Sequence, residues 1–268
     1  MDQDPPKEPE HRPPPPRAQS QRTAVSWDCV DCHVIDDEQS MDIRDRGENA
    51  DKYWQDGWIV NLGGIKRTDF DVDERGRYHR VYPTRYWVDR FETTASMRRV
   101  LAKNSDLKIV TRPLRITPAK EDLYLAHHLS RFGCEPRELL NKRYEYIVHH
   151  PARLMETCYF LGSALIAFSI FEEGDYSLWS NIGVWSPAHP ERSLGTLTIL
   201  KEIEHARARG DVFYYMGTYW PGHPSYEYKT RFRALELYDW DDRRWRPFGH
   251  PITKAMLTER LRRRSDDE

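Results

Sequence analysis

The second half of the chain contains a run of residues that restricts the possible folds more than any other segment. Residues 157–187, "TCYFLGSALIAFSIFEEGDYSLWSNIGVWSP", are rich in β-branched and aromatic residues, and turn residues interrupt the run at 161–162 and 173–175. Segments of this composition form strands that tight turns connect. The run therefore predicts two or three consecutive strands.

A helix and another strand follow this run. The segment "SLGTLTILKEIEHARARG" has an apolar stripe at helical spacing, formed by Leu197, Leu200, Ile203 and Ala206. Gly210 is placed to end the helix, and residues 211–220, "DVFYYMGTYW", predict the next strand. A strand meander, a helix that starts at a glycine-containing turn and a returning strand form the core pattern of the Gcn5-related N-acyltransferase (GNAT) fold. We therefore expect an α+β fold, with a GNAT-like mixed sheet flanked by helices.

The rest of the chain is divided by composition. Residues 1–22 are Pro-rich and polar, which predicts a disordered arm. We expect a small, irregular N-terminal unit over residues 23–90, the GNAT-like domain over 91–250 and a tail of basic and acidic residues over 251–268.

Two helices are predicted near the start of the GNAT-like domain. The first is "TASMRRVLAKN", for which Thr94 or Ser96 can serve as the N-terminal cap. The second runs from Pro118 through "AKEDLYLAHHLSRF", and Gly133 follows its end. Extended segments are expected at 85–92 and 107–117.

The composition argues against several protein classes. With 268 residues, of which 38% are hydrophobic, the chain can bury a substantial core. No apolar run reaches the ~18 residues that span a bilayer, and the first residues contain no apolar segment of a signal peptide. We therefore predict a cytoplasmic protein with no membrane partner. The formal charge of -2 gives no overall signature of nucleic-acid binding, so any basic surface must be local.

Residues 220–240, "WPGHPSYEYKTRFRALELYDW", combine aromatic and basic side chains around a Pro-Gly turn. Aromatic rings that stack on bases and cations that meet phosphates suit a single strand of nucleic acid. Plain core packing of the aromatic residues is the competing interpretation.

The start of the predicted helix at 193–210 is a second candidate site. Backbone N–H groups at a helix N-terminus favour anionic or carbonyl oxygens, and Ser193 is a candidate N-cap. A coenzyme A pyrophosphate loop would have a small residue where this chain has Leu197, two positions after Gly195. An acetyl-CoA N-acetyltransferase is therefore a weaker functional alternative. The alternative without a binding role is a helix that Ser193 simply caps.

Residues 184–245 resemble the C-terminal domain of arginyl- and leucyl-tRNA–protein transferases. That family has a Ser-Leu-Gly turn, a helix with Glu-Ile and Ala-Arg, a tyrosine-rich strand and a segment of the form M-x-Y-K-x-x-F-x-P-x-E. The matching residues are Ser193, Leu194, Gly195, Glu202, Ile203, Ala206, Arg207, Tyr214, Tyr215, Gly217, Tyr219, Trp220, Tyr228, Lys229, Phe232 and Glu236. A weaker resemblance lies upstream, in Phe91, Ser96, Arg98, Arg99 and Tyr124.

The chain departs from the family pattern in three places within the similar region, residues 80–248. Met97 replaces a glutamine, Ala234 replaces the last residue of the family's Phe-Arg-Pro, and a cysteine pair is absent from "VYPTRYWVDRF". The upstream elements of the family, to which the first and the last of these departures belong, help to define the acceptor. Cys29 and Cys32 are weak metal candidates, because a cluster or structural zinc normally needs four ligands. Free thiols are the alternative.

The resemblance implies transfer of an amino acid, Leu or Arg, from an aminoacyl-tRNA to the N-terminal Asp or Glu of a protein. No cofactor is needed, because the aminoacyl ester is already activated. The catalytic candidates are Lys229, Tyr228 and Glu236. The candidates for substrate binding are Ser193, Gly195, Thr196, Tyr215, Tyr219, Trp220, Arg98 and Arg99.

Two other functions stay open at the level of sequence. The altered acceptor half also suits transfer of leucine to a small-molecule amine, as in relatives from blasticidin-like antibiotic biosynthesis or self-resistance. A non-catalytic module that binds tRNA or a degron is the other alternative. The sequence does not choose between Leu and Arg as the donor amino acid, since an arginine pocket needs a carboxylate and a leucine pocket an apolar wall.

Overall fold

The computed structural model of the chain describes residues 39–249, except for 48, 62–63, 73–77, 134–146 and 152–153. The strands of this part are β1 (Gln39–Asp42), β2 (Ile59–Asn61), β3 (Gly64–Arg67), β4 (Phe70–Val72), β5 (Tyr78–Arg80), β6 (Tyr82–Trp87), β7 (Lys108–Pro113), β8 (Met155–Leu161), β9 (Ala164–Glu173), β10 (Ser177–Trp185), β11 (Phe213–Tyr219), β12 (Leu235–Asp239) and β13 (Arg244–Pro247). The helices are α1 (Asp51–Gln55), α2 (Ala95–Lys103), α3 (Pro118–Phe132) and α4 (Leu194–Arg209), with 3-10 helices at Ile43–Asp45, Pro190–Arg192 and Glu227–Arg231.

Several predicted features lie outside the described residues. They are the Pro-rich arm, the tail over residues 251–268 and the cysteines Cys29, Cys32 and Cys134. Cys158 is described, and its thiol is free and buried in β8. No helix in the described part is both long and apolar enough to cross a membrane.

The ends of the helices follow from local chemistry. The Thr94 side chain accepts a hydrogen bond from the Met97 N–H and caps α2, as predicted. Helix α3 begins at Pro118, and Gly133, with a φ of 73°, caps its end after Phe132. Helix α4 ends at Gly210 in the same left-handed conformation, with a φ of 83°. Glycine adopts this conformation without steric cost, so both helix ends are confirmed.

The main sheet has eight strands in the order β13-β12-β6-β11-β10-β9-β8-β7. Strands β8, β9 and β10 form the predicted antiparallel meander, and α4 then leads to β11, which pairs with β10 in parallel. The α+β class and the predicted order of meander, helix and returning strand are therefore confirmed.

The sequence assigned β6 to the small N-terminal unit, but the structure places it inside the main sheet. It pairs with β11 on one side and with β12 on the other, both antiparallel. Strand pairing joins residues far apart in the chain, so the local pattern around β6 could not identify its partners. The smaller pieces before it are a three-stranded sheet of β1, β3 and β2 and a two-stranded sheet of β4 and β5.

The two faces of the main sheet carry different cores. On the first face, α4 packs over Tyr86, Tyr214 and Phe171 with three buried residues of its apolar stripe, Leu200, Ile203 and Ala206. On the second face, Trp54 of α1 stacks with Trp179, with ring centroids 5.7 Å apart, and lies beside Tyr215. Neighbouring residues of a strand face opposite sides, which is why Tyr214 and Tyr215 belong to different cores.

The turn before β12 has a backbone that the family's proline could not adopt. Ala234 has a φ of 65°, in the left-handed region. Proline fixes φ near about -65°, so the residue that replaces it here permits a different path for the chain. Arg233 before it is exposed, and Leu235 after it is buried and pairs with Tyr86 as the first residue of β12.

Candidate functional site

Strands β10 and β11 separate in the middle of the main sheet. They pair at three positions, Ser177 with Phe213, Leu178 with Tyr214 and Trp179 with Tyr215. Beyond these pairs, β10 has a register irregularity between Ser180 and Ile182, and β11 has one between Tyr215 and Thr218. The parallel pairing therefore ends next to both irregularities, and backbone groups of the two strands no longer bond to each other there.

Lys229 reaches the irregularity of β11 from the 3-10 helix Glu227–Arg231. Its side chain is buried, with the residue 4% exposed, and its Nζ donates hydrogen bonds to the carbonyl oxygens of Met216 and Thr218. Gly217, between these carbonyls, has a φ of 64°, and a Cβ there would lie 3.8 Å from Nζ. The irregular strand thus forms a cradle of backbone oxygens around one amine.

Burial lowers the pKa of Lys229 to about 7. No carboxylate among the described residues pairs with it, so only the two backbone carbonyls offset the cost of burying its charge. A neutral amine has two N–H groups and one lone pair. Because the two carbonyls can take both N–H groups, the lone pair is left to accept a proton. A lysine with a pKa near 7 can act as a base or an acid at neutral pH.

Tyr228, the neighbour of Lys229, is half-buried. Burial raises its pKa to about 12, and the charge of Arg131 opposes this rise. Its hydroxyl is therefore protonated at neutral pH and can donate a proton but not remove one. The ring of Tyr226 lies 5.4 Å from the Lys229 Nζ, which gives the amine an aromatic neighbour.

The structure does not bring Glu236 to Lys229. Glu236 lies on β12 and pairs with Arg85 of β6 at 2.7 Å, and both side chains are about nine-tenths buried. Arg85 is also the cross-strand partner of Tyr215, which places these residues on the second face of the sheet. Tyr86, on the first face, donates its hydroxyl to the Lys229 backbone carbonyl. The spacing of Lys229 and Glu236 in sequence therefore does not make them neighbours.

The start of α4 differs from the predicted capped helix. Ser193 has a φ of 53°, and its side chain makes no capping hydrogen bond. The N–H groups of Thr196 and Leu197 instead donate to the Ser193 carbonyl. The Thr196 amide is thus already used. Gly195 lies beneath the Trp185 indole, where a Cβ would come within 2.8 Å of the ring.

The aromatic residues of the 220–240 segment are mostly part of a packed cluster. Trp220 is 7% exposed, and its ring centroid lies 4.5 Å from that of His79 and 5.8 Å from that of Tyr226. Tyr219 is also buried and donates its hydroxyl to Glu227 at 2.9 Å. Plain packing therefore explains both predicted binding residues, although Tyr226 stays partly exposed at the surface.

Arg98 and Arg99 lie on the exposed surface of α2. The Arg98 guanidinium donates to the carbonyl oxygen of Thr93 at 2.6 Å, beside the cap of the helix. They are available to solvent, but the structure does not gather them around Lys229.

A buried acid on α4 lies beside the paired part of β10 and β11. Glu202 is 1% exposed and accepts a hydrogen bond from the Tyr214 hydroxyl at 2.7 Å. Burial raises its pKa to about 7, against the effect of nearby hydroxyls. The sequence matched Glu202 to a family motif but gave it no role. A usable signal existed, because Glu202 lies one helical turn before Ala206 of the apolar stripe.

Comparisons with known proteins point to the family that the motifs suggested. The family described as "Arginine-tRNA-protein transferase, C terminus" matches residues 119–239. A protein of Stenotrophomonas maltophilia (strain K279a) named "Aspartate/glutamate leucyltransferase" is 32% identical over 178 residues, which cover 62% of this chain and 68% of that protein. The chain belongs to the arginyl- and leucyl-tRNA–protein transferase family.

This family member is also similar to a protein of the same printed name from Leptospira interrogans serogroup Icterohaemorrhagiae serovar copenhageni (strain Fiocruz L1-130). The two are 30% identical over 155 residues, which span 56% of this chain and 60% of that protein. Among solved structures, the tandem GNAT protein from the clavulanic acid biosynthesis pathway has a TM-score of 0.39 and 14% identity, and the match covers 57% of this chain and 49% of that one.

The family match places the described site in context. Residues 119–239 run from α3 to the end of β12, so they include Lys229, Tyr228 and Glu202. Arg98, Arg99 and β6 lie before the match. Within the described part of this transferase-family chain, no group of three or more His, Cys, Asp or Glu residues is arranged to hold a metal ion.

The packing of Trp185 on Gly195 gives a direct test of the start of α4. We expect Gly195→Ala to destabilise the protein by about 1–2 kcal/mol, because the added methyl group meets the indole and overpacking outweighs the helix propensity that alanine gains. Urea unfolding measures the change. Trp185→Leu removes the obstructing ring. In that background, we expect Gly195→Ala to leave the free energy of unfolding unchanged or to raise it. An equal loss of stability from Gly195→Ala in the wild type and in the Trp185→Leu variant would contradict the contact.

Proposed function

We propose that this chain is an aminoacyltransferase that moves leucine from leucyl-tRNA to the N-terminal Asp or Glu of a protein. The single observation that carries the proposal is the buried Lys229 amine at the gap between β10 and β11, with a pKa near 7 and no acidic partner among the described residues. Two relatives at 30% and 32% identity carry the name "Aspartate/glutamate leucyltransferase", which supports leucine as the donor and acidic residues as the acceptor.

The reaction exchanges one bond for another. The amine of the acceptor attacks the ester carbonyl of the aminoacyl-tRNA, a C–N bond forms, and the bond from the carbonyl carbon to the ribose oxygen breaks. The amine gives up a proton, and the ribose oxygen takes one. The ester is already activated, so the protein needs to position the two substrates and to manage these protons.

Lys229 and Tyr228 suit the two proton transfers. An N-terminal amine has a pKa of about 7.7–8.0, close to that of Lys229, so a neutral Lys229 can take its proton without a large free-energy cost. Tyr228 remains protonated at neutral pH and can donate to the strongly basic ribose oxygen. In this proposal, Lys229 is the general base and Tyr228 the general acid.

The geometry disfavours an acetyl-CoA reaction. A pyrophosphate that binds at the start of α4 needs open backbone N–H groups and a small residue for close approach. The Trp185 ring fills the space at Gly195, and the Thr196 N–H donates to the Ser193 carbonyl.

The cytoplasmic location of the protein stays a prediction.

A transfer assay tests the proposed function. Leucyl-tRNA and arginyl-tRNA, each with a radiolabelled amino acid, are supplied with peptides that begin with Asp, Glu or Ala and differ nowhere else. We expect label from leucyl-tRNA in the Asp and Glu peptides and none in the Ala peptide. Label from arginyl-tRNA alone would correct the donor. Label only in an added pool of small-molecule amines would correct the acceptor, and transfer to no acceptor would refute the proposal.

A further inference from the structure

Glu202 is a buried acid that the proposed proton transfers do not use. Its Oε2 accepts a hydrogen bond from the Tyr214 hydroxyl, while its Oε1 is buried and accepts no hydrogen bond within the described part of the chain. The hydroxyls of Ser169 and Ser180 lie near the carboxyl and stabilise its charged form. The surroundings are thus hydroxyl-lined, and one acceptor oxygen is left for a further donor.

The carboxyl lies beside the short stretch over which the two central strands pair. Tyr214 belongs to the middle of the three β10–β11 pairs, and Ser180 is the first β10 residue beyond them. The charge of Glu202 also acts on Tyr228, the proposed proton donor. Helix α4 therefore places Glu202 beside the paired part of β10 and β11 and within electrostatic reach of Tyr228.

No lysine or arginine of the described residues forms an ion pair with Glu202. The titratable groups around it are Tyr214 of β11, Tyr159 of β8, Tyr228 of the 3-10 helix and His205 of α4. His205 is bound to Glu173 at 2.7 Å and so has its own partner. A buried carboxylate without a cation is costly, and a bound cation removes that cost.

We propose that Glu202 binds the positively charged group of the donor's aminoacyl moiety. For any aminoacyl-tRNA this group is the α-ammonium, and for arginyl-tRNA the guanidinium offers the same chemistry. The ammonium donates to the open Oε1, and the hydroxyls around the carboxyl supply acceptors for its other N–H groups. This inference rests on the proposed function, because it assumes that the donor is an aminoacyl ester.

Selection of a charged donor follows from this arrangement. An N-acylated donor, such as formyl-aminoacyl or peptidyl-tRNA, has an uncharged amide in place of the ammonium. It would leave Glu202 buried without its partner and is therefore rejected. The acid would thus confine the site to donors with a free α-amine.

The test measures binding of three hydrolysis-resistant analogues, in which an amide joins the amino acid to 3′-amino-3′-deoxyadenosine. They carry leucine, N-acetylleucine and arginine. By calorimetry at pH 8, we expect the leucyl analogue to bind the wild-type protein at least ~10-fold more tightly than the N-acetyl analogue. Tighter binding of the arginyl analogue than of the leucyl one would assign the guanidinium as the group that Glu202 binds.

Variants locate the effect. Glu202→Gln should reduce the preference for the charged leucyl analogue to less than ~3-fold, whereas Glu204→Gln, an exposed position on the same helix that pairs with Lys201, should leave it unchanged. Thermal unfolding checks that both variants fold, and the comparison of charged with acetylated analogue on the wild type needs no variant. Equal binding of these two analogues, no binding of either, or an unchanged preference in Glu202→Gln would overturn the proposal. This binding experiment is independent of the peptide transfer assay. If leucine is transferred to the peptide but the charged and acetylated analogues bind equally well, the role of Glu202 is refuted and the proposed function stands.

Discussion

Lys229→Met should lower the rate of leucyl transfer at least ~100-fold, because it removes the proposed general base while keeping a side chain of similar length in the buried position. Initial rates with saturating leucyl-tRNA and an Asp-initiated peptide measure the loss. Lys201→Met is the matched control, since Lys201 is a partly exposed lysine of α4 that pairs with Glu204. Transfer by Lys229→Met within ~3-fold of the wild type would remove Lys229 from the mechanism.

The same variant should change how stability depends on pH. The pKa of Lys229 is about 7 in the folded protein, whereas that of an exposed lysine is 10.5, so the folded state binds fewer protons than the unfolded state between these pH values. The free energy of unfolding of the wild type therefore gains about 2–3 kcal/mol from Lys229 between pH 7 and pH 9. The contribution is lost as the pH falls from 10.5 towards 7. Urea unfolding at both pH values should show the gain in the wild type and in Lys201→Met, and not in Lys229→Met. The same slope in all three would mean that Lys229 stays charged in the folded protein.

Glu172→Gln should destabilise the protein by about 3–5 kcal/mol, because it leaves the Arg46 guanidinium buried without its counter-charge. Both side chains are fully buried, and the Nε2 of His150 lies 3.2 Å from the second carboxylate oxygen. Arg46 follows the first 3-10 helix, and Glu172 lies on β9, so the ion pair joins the N-terminal segment to the main sheet.

Urea unfolding also tests this ion pair. Glu173→Gln is the neighbouring control, and we expect it to cost about 1 kcal/mol or less because its partners His205 and Arg209 are partly exposed. The double variant Arg46→Met, Glu172→Leu should recover most of the stability, since it removes both charges and keeps apolar volume. A loss in Glu172→Gln no larger than that in Glu173→Gln would show that Arg46 is not held by this charge.

Local chemistry made part of this fold predictable from sequence. A threonine that can cap a helix, a proline at a first turn and a glycine after a last turn act through their own backbone or the next few residues, and Thr94, Pro118 and Gly133 behave accordingly. The meander and the stripe of α4 were equally readable, because their periods of two and 3.6 residues are properties of single elements.

The arrangement of the site depended on contacts that no local pattern contains. Glu236 and Lys229 are seven positions apart, yet a strand turns alternate residues to opposite faces, and the pairing of β12 with β6 decides which face Glu236 occupies. Gly195 was expected to expose backbone, and a ring from β10 covers it instead. The burial of Lys229 depends on the register irregularity of β11, and the sequence of that strand alone does not predict this irregularity.

The main sheet consists of two halves of four strands that meet at β10 and β11. Three residue pairs join these halves, whereas β8 and β9 are joined at seven positions, from Met155 to Leu161. The pairing of β12 with β6 is equally short, so the sheet has two narrow junctions, one on each side of the β6–β11 pair. The Glu202 carboxyl acts on both halves, because Tyr214 of β11 donates a hydrogen bond to it and the hydroxyls of Ser169 of β9 and Ser180 of β10 stabilise its charge. This buried carboxyl therefore ties the two halves together at a place where few backbone hydrogen bonds do so.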